Sequence, residues 1–136
     1  SLEENATCYS LNTYHSLQTY LSIQANTISS ILKSRNIENL YAYGAAPSSV
    51  VNALLLGYSK HISAYIDDNP ERQSLLSPNN YAPVKKKTIL GEQLHPFVII
   101  AAWRFSDLII PQILIENPNA QILIPSLTNG VSMYSD

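Results

Sequence analysis

Between residues 40 and 70 the chain reads LYAYGAAPSSVVNALLLGYSKHISAYIDDNP. That stretch limits the choice of fold more than any other. A short apolar run, Leu40–Tyr43, meets a lone glycine. A helix follows with Pro47 near its first position, where a missing N–H costs nothing. A second apolar run, Ile62–Ile66, then ends in two aspartates. Strand, glycine corner, helix and strand in this order predict a βαβ unit, and parallel strands need a helical crossover.

The rest of the chain extends the pattern. Tyr14, Leu17, Leu21, Ala25, Ile28 and Leu32 recur at steps of three and four, which predicts one long helix over residues 11–35 with a single apolar stripe. Lys33 and Arg35 suit its carboxyl end, where the helix dipole favours cations. The stripe either packs on this chain's own sheet or serves as a connector from a preceding domain. Residues 67–95 read as irregular, with at most a short strand near Tyr81–Val84 and a helical turn near 89–94. Phe97–Ala102 is a strand. A helix runs from Ser106 to about Glu116 and is kinked or delayed by Pro111. Ala120–Ile124 is a last strand before a polar tail. The expected division is a helical connector over 1–37 and an α/β domain over 38–136, without internal repeats.

Composition removes several function classes. The 136 residues carry a net charge of −2 with 13% charged residues, so no nucleic-acid surface is expected. The basic run Lys85-Lys86-Lys87 reads as a solvated turn or a phosphate or partner contact. There is no apolar run of ~20 residues to span a bilayer. The amino end has no secretory pattern, which makes the cytoplasm the expected location. One cysteine excludes an internal disulfide, and three histidines scattered along the chain do not suggest a metal site.

Open parallel sheets bind ligands beyond the carboxyl ends of their strands, so the residues there are the candidates. Gly44 permits a sharp turn, and the following helix start would offer its free N–H groups, with Ser48 and Ser49, to an anion. Gly44 could equally be the tight-turn residue that any such corner needs. Asp67 and Asp68 stand 23 and 24 residues beyond Gly44, near the ~20 expected of a carboxylate gripping ribose hydroxyls. They could also cap the turn at Asn69-Pro70. Trp103 is a stacking platform or a packing residue, and Arg104 a fixed cation without an acidic neighbour in sequence. The triple-glycine spacing of a dinucleotide loop is absent, as are the P-loop lysine, a nucleophile elbow and a Ser-His-Asp order. No residue is assigned a catalytic role.

Several motifs over residues 41–109 carry a family resemblance. A strand ends in Tyr43-Gly44-Ala45, and Gly57 closes the following helix. Asp67-Asp68-Asn69-Pro70-Glu71-Arg72-Gln73-Ser74, Pro78-Asn79-Asn80-Tyr81-Ala82-Pro83-Val84 and Trp103-Arg104 before Ser106-Asp107 follow in order. The segment resembles the carboxyl-terminal domain of S-adenosylmethionine-dependent sugar C-methyltransferases. The resemblance implies an α/β, Rossmann-like three-layer sandwich with a mostly parallel sheet of about 4–5 strands, preceded by a long N-terminal helix. It also implies a substrate-binding role toward a nucleotide-linked sugar, through Gly44, Ser48, Ser49, Asp67, Asp68, Asn69, Tyr81, Trp103 and Arg104. The methyl-donor site would lie outside this chain, so no cofactor is expected here and S-adenosylmethionine is expected in the full-length protein. The upstream methyltransferase domain would be a partner.

The chain departs from the family at Ser48-Ser49-Val50-Val51, where a polar Lys-Gly-Asn-Thr stretch is common. It also departs at Tyr81, in place of His, and at Arg104, in place of Asn. Residues 43–70 are similar, too, to the nucleotide-sugar domain of bacterial sugar acyltransferases, which continues into hexapeptide repeats, and none begins before Asp136. A third alternative is a non-catalytic scaffold whose helix 11–35 docks a partner or a second copy as a homodimer.

Overall fold

The computed structural model describes residues 2–73 and 82–135, with side chains from Leu11 onward. The first helix, α1, spans Leu2–Ser34, so it begins nine residues before the expected start at residue 11. Its carboxyl end closes on Asn36 at φ 52°. The Asn36 N–H donates to Lys33 O at 3.1 Å and the Ile37 N–H to Leu32 O at 3.0 Å. This is the paired bonding of a Schellman motif, and Leu32 and Ile37 make its apolar contact in the core.

The stripe divides. Ile28 and Leu32 are buried, whereas Leu11, Tyr14 and Leu17 are more than half exposed. Among the described side chains of α1, those of its carboxyl half pack on the sheet. It is anchored by Gln24 Oε1, which accepts the Val131 N–H at 2.8 Å, and by Arg35, which donates to Gln121 Oε1 at 2.6 Å.

Strands β1 (Leu40–Tyr43), β2 (Ile62–Ile66), β3 (Val84–Lys85), β4 (Phe97–Ile99), β5 (Gln121–Ser126) and β6 (Gly130–Met133) form one sheet in the order β3-β2-β1-β4-β5-β6. The first five are parallel and β6 is antiparallel to β5. Helices α2 (Pro47–Leu55), α3 (Pro70–Gln73) and α4 (Ser106–Glu116), with a 3₁₀ turn over Lys87–Glu92, complete the fold.

Alternate residues of each strand feed two cores. Leu40, Ala42, Phe97 and Ile99 pack with α1 and α2. Tyr41, Tyr43, Val98 and Ile100 pack with Leu90 and with Ile109, Ile110 and Ile113 of α4. The result is the Rossmann-like three-layer sandwich expected. β1 and β4 are fully buried along their length, as parallel strands covered on both faces must be.

Three expectations need correction. The sheet has six strands, because the tail after β5 turns back as β6. Ser126 Oγ accepts the N–H groups of Thr128 and Asn129 at 3.2 and 3.0 Å, and Gly130 completes the reversal at φ 80°. β4 ends at Ile99 rather than Ala102. Beyond it, Ile100 and Ala102 bond to different neighbours, Leu123 O and Tyr43 O. Pro111 does not delay α4, which starts at Ser106 and runs through it. Pro111 is exposed, so the carbonyl that lacks its N–H can turn to water.

Candidate functional site

In a sheet of this order the reversal falls between β1 and β4, where the following helices leave toward opposite faces. A cavity of about 350 Å³ lies there, at the carboxyl edge. Its floor follows from Gly44. The Gly44 N–H donates to Ile66 O at 2.7 Å, and the Ala102 N–H donates to Tyr43 O at 3.0 Å. The three strand ends are thus drawn together. At φ +106°, a β-carbon on Gly44 would stand 2.8 Å from both Ala102 Cβ and Ser49 Oγ. Only glycine fits that corner.

Helix α2 starts beside it without a side-chain cap, since Ala46 occupies the N-cap position. Ser48 and Ser49 face the cavity from the first turn. Ser49 is buried and Ser48 is exposed. The N–H groups of Ser49 and Val50 bond to Ala46 O. Pro47 has no N–H, which leaves Ser48 with the one N–H of the turn that no intrahelical acceptor can reach.

Asp67 is the hub of the second corner. Oδ1 accepts the Asn69 N–H at 3.0 Å, while Oδ2 accepts the Ala45 N–H at 3.1 Å and Arg72 Nη1 at 3.0 Å. Burial alone would raise this carboxyl. The Asn69 N–H, the Arg72 guanidinium and the Ala45 N–H outweigh it and hold the group below its usual value. One side chain thereby ties the end of β2 to the Gly44–Ala45 corner and steers Arg72 into the cavity wall.

Asp68 turns elsewhere. Its Oδ1 accepts the Lys87 N–H at 3.0 Å, and its carboxylate lies 3.6 Å from Lys87 Nζ. Asn69 Oδ1 accepts the Glu71 N–H at 3.0 Å and starts α3. Neither residue reaches the cavity. Tyr81 lies outside the described residues.

The far wall comes from the 3₁₀ turn Trp103–Phe105 and the start of α4. Arg104 stacks over the Trp103 ring, with its guanidinium carbon 4.8 Å from the ring centroid. Among the described residues no carboxylate pairs with it. Gly44, Ser48, Ser49, Asp67, Trp103 and Arg104 are therefore brought together as the strand-end argument expected.

Tyr43, Arg72 and Gln112 also line the cavity and were not among the candidates drawn from sequence. The Tyr43 hydroxyl donates to Gln112 Oε1 at 3.0 Å. Burial, followed by the carboxylates of Asp68, Asp67 and Glu116, pushes it up to about 12. It is a neutral donor, not a base. No histidine lines the cavity. Among the described residues no group of three or more His, Cys, Asp or Glu side chains could hold a metal ion.

The corner lacks the three glycines of a dinucleotide loop. Ala102 and Ser49 close on the Gly44 corner, each 2.8 Å from where a β-carbon would sit. The carboxylate in the ribose position already accepts three bonds. Among the described residues no helix is long and apolar enough to cross a membrane.

The sheet order defines a Rossmann-like domain with an altered first corner and a cavity at its carboxyl edge. Residues 1–125 match the family described as the C-methyltransferase C-terminal domain. The chain belongs to that family. No curated protein matches it.

Proposed function

We propose that the cavity between β1 and β4 holds the substrate of a S-adenosylmethionine-dependent C-methyltransferase, a nucleotide-linked sugar or a related small molecule. The methyl donor would bind outside this chain. The observation that carries the reading is the convergence of an uncapped α2 start, Arg72 and Arg104 on one cavity at the switch point. Two guanidinium groups and a helix start favour an anion such as a diphosphate. Tyr43, Trp103, Phe105 and Leu108 give the same cavity an apolar side suited to a flat ring. Asp67 acts here as a positioning residue, because its carboxylate holds the corner and Arg72.

A scaffold with a decayed ligand loop would have no need of a concave site beside Gly44, Asp67 and Trp103, so the cavity favours the substrate reading. Calorimetric titration of the full-length protein with nucleotide-linked sugars, nucleoside diphosphates and NAD is the test. Arg104→Ala should weaken nucleotide-sugar binding by about 10- to 100-fold, the usual weight of a hydrogen bond to a charged group. Unchanged affinity in that variant would sink the proposal.

A further inference from the structure

Trp103 and Arg104 line two cavities. One is the β1–β4 cavity. The other, of about 420 Å³, lies on the far side of the same turn, over the ends of β5 and β6, and takes in Asp107, Asn129 and Ser132. Each alone is near the low end of the roughly 300–1,000 Å³ typical of small-molecule sites. Their chemistry differs. The first offers Trp103, Phe105, Leu108 and the Tyr43 ring, together with Arg72. The second offers the carboxylate of Asp107, the amide of Asn129 and the hydroxyl of Ser132, all exposed and clear of the bonds that hold the β5–β6 turn. Asp107 disfavours an anion in the second cavity, and its acceptor oxygens suit the hydroxyl groups of a neutral sugar. The Arg104 guanidinium stands at the boundary between the two.

We infer that the ligand straddles the Trp103–Arg104 turn, with its nucleobase end in the β1–β4 cavity, its phosphates at Arg104, and its sugar ring in the β5–β6 cavity against Asp107, Asn129 and Ser132. This rests on the nucleotide-sugar reading and adds an orientation to it. The hydroxyl-recognising carboxylate is then Asp107, from the start of α4, while Asp67 is kept for holding the corner.

The test titrates the full-length protein with uridine and thymidine diphosphates and with their glucose conjugates. Asp107→Asn and Asn129→Ala should weaken the glucose conjugate at least tenfold and leave the nucleoside diphosphate within twofold. Leu108→Ser should weaken both alike. Both sets of side chains are exposed, and a thermal melt of each variant checks that the fold is kept. If Asp107→Asn weakens the nucleoside diphosphate as much as the conjugate, or weakens neither, the orientation is overturned while the nucleotide-sugar reading stands. If the unaltered protein binds none of the four probes, both fall.

Discussion

Replacing Gly44 with alanine should destabilise the domain by about 2–5 kcal/mol, for two separable reasons. A non-glycine residue at φ +106° carries backbone strain of about 1–3 kcal/mol. The new methyl would also meet Ala102 Cβ and Ser49 Oγ at 2.8 Å and the Ala102 amide nitrogen at 3.2 Å. Ala102 cannot yield without moving, because its N–H is bonded to Tyr43 O. Overpacking of this kind costs about 1–3 kcal/mol. Against both stands a gain of about 0.4–1 kcal/mol from a stiffer unfolded chain.

Gly57 supplies the control. It sits at φ +74°, but a methyl there would meet nothing closer than Ala25 Cβ at 4.0 Å. Gly57→Ala should therefore cost only the left-handed strain, about 1–2 kcal/mol. Urea unfolding of the two variants reads the difference directly. In thermal melts Gly44→Ala should lower Tm by roughly 8–20 °C, at about 4 °C per kcal/mol for a domain of this size. Equal losses in the two variants would refute the close approach of β1 and the segment after β4, and with it the account of the cavity floor.

Three further outcomes follow from buried polar groups. Asp67 titrates below its unfolded value of ~3.9, so its contribution is fully present above that pH and is lost as acid protonates the folded form. Asp67→Asn should cost about 1–3 kcal/mol at pH 7 and flatten the fall in stability below about pH 4, read by urea unfolding across pH. The Tyr58 hydroxyl donates to Asn52 Oδ1, whereas the buried Tyr65 hydroxyl has no partner among the described residues. Tyr58→Phe should therefore destabilise by about 1–3 kcal/mol, while Tyr65→Phe should be neutral or slightly stabilising. Asn117 Nδ2 donates to Leu90 O and Gln93 O at 2.9 and 2.7 Å. Asn117→Ala removes the side-chain donor from Gln93 O and leaves Leu90 O with the Gln93 N–H alone, and should cost about 1–3 kcal/mol in the same assay.

The fold was legible wherever burial on both faces leaves an uninterrupted apolar run. Leu40–Tyr43 and Ile62–Ile66 have the expected bounds for that reason. β6 was not, because an edge strand half covered by α1 alternates Val131 and Met133 with Ser132 and reads as polar. Its signal was the Asn129-Gly130 pair after β5, a turn former of known type. The site was legible as a set of strand ends but not as a set of roles. Asp67 looks the same in sequence whether it caps a turn or grips a ligand. The Ala45 N–H that engages it comes from 22 residues away. Tyr43 and Gln112 meet across 69 residues, a separation over which local pattern carries no information.

The altered first corner and the position of the cavity have one physical origin. In a dinucleotide fold, glycines between the first strand and its helix leave room for a pyrophosphate to reach the backbone. Here that gap is closed by Ser49 Oγ and Ala102 Cβ, and Pro47 removes one of the N–H groups that would have faced it. The space reopens one strand over. There Ala101 and Ala102 are too small to fill it, and Trp103 and Arg104 carry the chain aside before α4 begins. The guanidinium groups move with the space, Arg72 reaching it from α3 as the ion-pair partner of Asp67 and Arg104 bordering it from the turn after β4. On the proposed reading, a ligand anion would be met by guanidinium groups on side chains more than by backbone amides. Such a site should depend on ionic strength and on arginine substitution more steeply than a glycine-loop site does.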